Sequence, residues 1–109
     1  MLFQEYNDLK IKYTNSQTVY DEMLAEREKS LKEGHIKHLK KLKEAKLIML
    51  ERAYLLRLKR EELYKSNELY DKVYYLRFVK KLKINNISQF TNYSVRQINR
   101  ILKEIKDKL

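Results

Sequence analysis

Proline is absent from this 109-residue chain and glycine occurs once, at Gly34. Without those two residues a chain has few ways to make tight turns, strand bulges or sharp stops, whereas Lys, Glu, Leu and Arg, all good helix formers, are abundant. The expected fold class is therefore all-α. Hydrophobic residues make up 43% of the chain, enough for a core, and the length suits one domain or a small domain with a helical extension.

Several classes are excluded by the same composition. There is no Cys, so disulfides and thiolate sites are ruled out and a reducing, cytoplasmic compartment is expected. Met1-Leu2-Phe3-Gln4-Glu5 is not a basic region followed by an apolar one, so no secretory signal is expected there. The most apolar stretch, Leu47 to Leu58, covers 12 residues and contains Glu51, Arg52 and Arg57. A membrane span needs about 20 mostly apolar residues, so none is expected. The net charge of +10 is uneven: residues 1–34 carry −2, whereas residues 35–66 and 67–109 carry +6 each. A basic remainder behind an acidic end suits a polyanionic partner.

Periodicity organises the first two thirds. Tyr6, Tyr13 and Tyr20 recur every seven residues, offset by three from Leu2, Leu9, Ser16 and Met23, as in a short coiled-coil seam. Thr14-Asn15-Ser16 interrupts this seam as a turn or cap would, leaving open whether it lies in one helix. Helix is expected from about Gln17 to Glu33, with Gly34 as its stop. The next helix runs from about His35 to Lys65, where Leu42, Met49, Leu56 and Leu63 repeat every seven residues with Leu39 and Ala53 in support. Between Leu47 and Leu58 apolar residues occur almost all round the helix, which implies more than one packing neighbour. Residues 1–66 are thus expected to form a helical hairpin that oligomerises, as a dimer, or binds a partner protein.

Residues 67–109 change character. Ser66-Asn67 offers an N-cap, with Glu68 in the first turn, and Leu69, Val73, Leu76 and Val79 continue a helical period to about Leu82. Lys83 to Asn86 reads as a polar joint, Ile87 to Phe90 as a short apolar helix, and Asn92-Tyr93 as a sharp turn. Ser94 with Gln97 three residues later fits a capping box, in which hydroxyl and amide each satisfy one orphan N–H. Beyond that cap, Ile98, Ile101, Leu102, Ile105 and Leu109 share a face, Arg96, Arg100, Lys103 and Asp107 lie opposite, and Asn99 flanks them. Helices at 67–82, 87–91 and 94–108 make the trio that a helix-turn-helix needs, with a basic back suited to the major groove.

The stretch Leu69-Tyr70-Asp71-Lys72-Val73-Tyr74-Tyr75-Leu76-Arg77-Phe78-Val79 through Leu102 resembles region four of bacterial sigma factors. It is more similar to the sigma-region-four-like domains of small phage and prophage regulators such as the RinA and ArpU groups. The shared pattern reads here as Ile87-Ser88-Gln89-Phe90-Thr91-Asn92-Tyr93-Ser94 followed by Val95-Arg96-Gln97-Ile98-Asn99-Arg100-Ile101-Leu102. Asn92 stands where that pattern has Gly, and Asn tolerates the left-handed turn. Ser88 replaces an Ala at the tight helix crossing and is small enough for it. The resemblance covers about 40 residues and implies DNA binding in transcription, encoded by a mobile element.

The candidate reading face is Arg96, Asn99, Arg100 and Lys103, with Ser94, Val95 and Gln97 at its entrance. Arg can pair with guanine, Asn and Gln with adenine, and Val can touch a thymine methyl. Lys80, Lys81 and Lys83 are placed to grip phosphates. A solvated basic helix face accounts for the same residues without a ligand. His35 and His38 at i, i+3 beside Glu33 lack the further ligands of a metal site, so no metal or other cofactor is expected. No Gly-rich phosphate loop or nucleophile motif is present, and adjacent Glu61 and Glu62 point in different directions on a helix, so the chain is not expected to be an enzyme. Glu28–Lys32, Glu33–Lys37 and Glu104–Lys108 read as stabilising helix pairs. Tyr93 is expected to pack. The expected partner is double-stranded DNA, with RNA polymerase a further candidate. A helical scaffold without DNA affinity and a small phage packaging subunit of the terminase kind stay open as alternatives.

Overall fold

The computed structural model describes residues 1–26 and 35–109, with the side chains of residues 35 and 36 outside the description. Among these residues the fold is all-α: α1 Leu2–Glu26, α2 His35–Lys65, α3 Leu69–Tyr74 running on into a π-helical turn at Tyr75–Val79, α4 Ile84–Thr91 and α5 Val95–Lys108. None of these helices is long and apolar enough to cross a membrane. The expected ends of the first helix, at Glu33 and Gly34, and the pairs Glu28–Lys32 and Glu33–Lys37 lie outside the described residues in whole or part. The chain divides into two compact units, residues 8–58 and residues 1–7 with 59–109.

In the 8–58 unit the two helices run antiparallel, since the Arg52 guanidinium donates to the Lys12 carbonyl at 3.0 Å while His38 Nε2 meets the Met23 carbonyl at 3.0 Å. The heptad stripes face inward: Leu42, Leu56 and Ser16 are buried, and Tyr13, Tyr20, Met23 and Met49 half-buried. Thr14-Asn15-Ser16 does not break the helix. Ser16 and Thr18 send their hydroxyls back to the Lys12 and Thr14 carbonyls, at 2.9 and 3.1 Å, and stay within the helical ladder. Ser16 Oγ also accepts from Arg52, which satisfies a polar group at the one seam position that is not apolar.

The second unit is built around α5. Ile98, Ile101, Leu102 and Ile105 are buried against α3 and α4, each burial stabilising by roughly 1.5–3 kcal/mol. Val73, Tyr74 and Leu76 from α3 and its π turn, Ile87 from α4, Leu63 from the end of α2, and Phe3 and Tyr6 from the start of α1 complete the core. Phe3 stacks on Tyr74 at 5.6 Å between ring centroids, and Tyr6 meets the same ring edge-on at 6.0 Å. This unit is therefore wider than residues 67–109. Asp71, 0% exposed, accepts the Phe3 N–H at 3.0 Å and the Ser66 hydroxyl at 3.2 Å. It thereby caps the first turn of α1 from a distance, a turn whose own residues have no short polar side chain to do so.

Four details depart from the sequence reading. The helix of 67–82 starts at Leu69 with Glu68 at its N-cap, and Ser66 Oγ instead accepts the Glu68 N–H at 3.2 Å. It ends in the π turn, where Lys80 N–H reaches the Tyr75 carbonyl at 3.0 Å and Leu82 N–H the Leu76 carbonyl at 3.0 Å, around Lys81 at φ 58°. The joint at 83–86 is mostly helix, because α4 begins at Ile84. At the other end, Glu104 accepts from the Tyr70 hydroxyl, and Lys108 lies over the Tyr70 ring at 4.9 Å, so Glu104 serves α3.

Candidate nucleic-acid interface

The turn into α5 is made by local chemistry. α4 closes on Asn92, which takes the left-handed conformation at φ 62° and ψ 15°, the region where Asn is least penalised among residues with a side chain. Thr91 Oγ1 donates to the Ile87 carbonyl at 2.7 Å, and Ser88 Oγ donates to the Tyr93 carbonyl, tying the small residue at the helix crossing to the turn. Ser94, extended at φ −66° and ψ 157°, then starts α5 with a complete capping box. Its Oγ accepts the Gln97 N–H at 3.2 Å, and its own N–H donates to Gln97 Oε1 at 2.9 Å. Ile87 is buried as the apolar reading of α4 requires, but Phe90 is 68% exposed and Tyr93, expected to pack, is exposed as well.

With the apolar side of α5 locked, Val95, Arg96, Asn99, Arg100 and Lys103 are all exposed on the other side. Gln97 is exposed too, but its amide oxygen is committed to the cap, so a two-point adenine contact by Gln97 would cost the capping bond. Residues 77–103 hold seven Lys and Arg and no Asp or Glu, which makes this the most one-signed stretch of the unit. Asp107 follows one turn beyond Lys103 on the outward side and ends the positive run along Arg96 and Arg100, whereas Lys106 continues it along the Asn99 edge.

No family model, curated protein or solved structure matches the chain. The site therefore rests on its own geometry. A cavity of about 290 Å³ opens beside α5: Phe78, Ile84 and Leu102 form its apolar part, and Arg77, Asn99, Lys103 and Lys106 its polar part. It brings together two residues of the sequence-derived set, Asn99 and Lys103, with two that were not in it. Lys106 was legible as the next member of an Asn99–Lys103–Lys106 stripe. Arg77 was not, because only the packing of α3 against α5 places it there.

The three flanking lysines do not act as one group. Lys80 lies over the Tyr75 ring at 6.0 Å and lines a different cavity with Arg60, Glu61, Tyr64 and Tyr75. Lys81 holds the left-handed end of the π turn, and Lys83 is the N-cap of α4 without a side-chain capping bond. All three side chains are exposed. Among the described residues no group of three or more His, Cys, Asp or Glu is placed to hold a metal ion, and His38 is occupied by the Met23 carbonyl.

Proposed function

We propose that this chain is a DNA-binding transcriptional regulator that docks α5 in the major groove, in the manner of the sigma-region-four-like regulators of phages and other mobile elements. The observation that carries it is the combination at 92–103: a left-handed turn, a complete capping box, and a helix whose buried side is fully apolar and whose free side is Arg96, Asn99, Arg100 and Lys103 without a carboxylate. A solvated face needs none of that pre-organisation. Arg96 and Arg100 read guanine, Val95 touches a thymine methyl, and Lys81 and Lys83 hold phosphates. The protein works in the cytoplasm as a dimer, with RNA polymerase as a candidate further partner.

The test is an anisotropy titration of wild type and Arg96→Ala/Arg100→Ala against labelled duplexes at several salt concentrations. The double variant is expected to bind about ten-fold more weakly or worse. Because both arginines are assigned to base edges, the loss should fall mainly on a preferred duplex and shrink its advantage over a scrambled one. Equal binding with unchanged discrimination between the two duplexes would contradict the assignment.

A second reading, a helical scaffold without DNA affinity, is favoured by one observation. Leu47, Ile48, Leu50, Tyr54, Leu55 and Leu58 of α2 are exposed, Leu47 by 58%. Such a surface suits a protein partner. It predicts a stable oligomer with no duplex affinity at physiological salt.

A further inference from the structure

We infer that the cavity between α5, the π turn and the start of α4 is a phosphate-binding site, filled by a backbone phosphodiester of the DNA. The inference rests on the DNA reading for the source of the phosphate. The site itself stands on the cavity, where Arg77, Lys103 and Lys106 converge on about 290 Å³ with Asn99 at its edge and no carboxylate in its lining.

The cavity lies at the small end of ligand pockets, which run from roughly 300 to 1,000 Å³, and has room for a phosphate with part of its sugar. The apolar part, Phe78, Ile84 and Leu102, suits a deoxyribose edge. Arg77 is pre-organised: one guanidinium N–H donates to the Leu82 carbonyl at 2.9 Å, which fixes the group and leaves further donors for two-point contact with an oxyanion. Ile84 opens α4, whose first turn has no acidic residue and no side-chain cap, so its N–H groups add to the positive potential set by the three cations.

The geometry divides the outer side of α5 in two. Asn99, Lys103 and Lys106 lie along the edge next to Leu102 and face the cavity, while Arg96 and Arg100 lie farther round. The first group sets docking register and the second reads sequence. Asn99 and Lys103 thereby move from base reading to phosphate holding.

The experiment compares wild type with Lys106→Gln and Lys103→Gln/Lys106→Gln, on one preferred and one scrambled duplex, across salt. Melting curves confirm that each variant folds. The expected result is a slope reduced by about one unit per lysine and affinity lowered about three- to ten-fold at physiological salt, equally on both duplexes. A slope unchanged in a protein that still binds DNA, or a loss confined to the preferred duplex, overturns the phosphate site while leaving the DNA reading intact. If wild type binds neither duplex, the DNA reading falls and inorganic phosphate decides the site. Saturable amide and Arg side-chain NMR shifts at Arg77, Ile84 and Lys103, abolished in the double variant, would retain it for a free phosphate compound, and their absence would overturn it.

Discussion

Tyr74 shows how much of the second unit depends on single side chains. Phe3, Tyr6 and Phe78 all meet its ring, and burial, with the Tyr6 phenol close by, pushes its hydroxyl pKa up to about 12. An unfolded tyrosine titrates near 10, so the folded state keeps the proton longer. The resulting stability is fully present below pH 10 and is lost as pH rises toward 12. Urea unfolding at pH 9 and at pH 11.5 should show wild type losing about 2 kcal/mol more than Tyr74→Phe. Equal losses would contradict this environment for Tyr74. At this scale the sequence was readable where chemistry is local: the Ser94–Gln97 box and the Asn92 turn each depend on neighbours within a few positions. Asp71 and Arg77 were unreadable because their partners, the Phe3 N–H and the α5 lysines, come together only through packing.

Helix ends show the same division. The stripe from Leu42 to Leu63 and the cap at Ser94 set α2 and α5 where periodicity puts them, at His35–Lys65 and Val95–Lys108. The start of α4 at Ile84 was hidden, since Lys83 marks it with extended backbone at φ −71° and ψ 152° but no capping side chain. Thr14-Asn15-Ser16 left the continuity of α1 open, because hydroxyls that favour turns can also bond back to carbonyls four residues earlier, as Ser16 and Thr18 do. The π turn left no mark in the pattern. Its one extra residue is absorbed before Lys81, which sits at φ 58° although it carries a side chain. That conformation costs about 1–2 kcal/mol outside Gly, partly offset by the greater unfolded entropy of Gly. Lys81→Gly is therefore expected to stabilise the fold by roughly 0.5–1 kcal/mol in urea unfolding without DNA. A lowered midpoint would mean that the Lys81 side chain itself holds the turn.

For the whole molecule, the contrast between the units matters most. The 1–7 and 59–109 unit has an aromatic and aliphatic core closed by buried Asp71. Among the described residues of the 8–58 unit only Ser16, Leu42 and Leu56 are buried, while large apolar side chains such as Leu47, Leu50 and Tyr54 stay exposed. A helix pair so sparsely covered gains by packing against another layer. A second copy supplies one by symmetry and would present two reading helices to one duplex. Sedimentation should find wild type as a dimer or larger and Leu50→Glu/Tyr54→Glu as a monomer of unchanged helicity. A monomeric wild type would remove this role for α2. The apolar excess was legible from residue 47 to residue 58, because it exceeds what one neighbouring helix can cover. What covers it is not written in one chain.

Entry of Arg96 and Arg100 into the major groove from a capped α5 can be read by dimethyl sulfate footprinting on a duplex selected for binding. That reagent reads guanine N7 in the major groove and adenine N3 in the minor groove. Wild type is expected to protect guanine N7 at discrete positions, and Arg96→Ala/Arg100→Ala, at a concentration that restores occupancy, is expected to lose that protection. Protection confined to adenine N3, or guanine protection that survives both substitutions, would mean that these two arginines do not read the major groove.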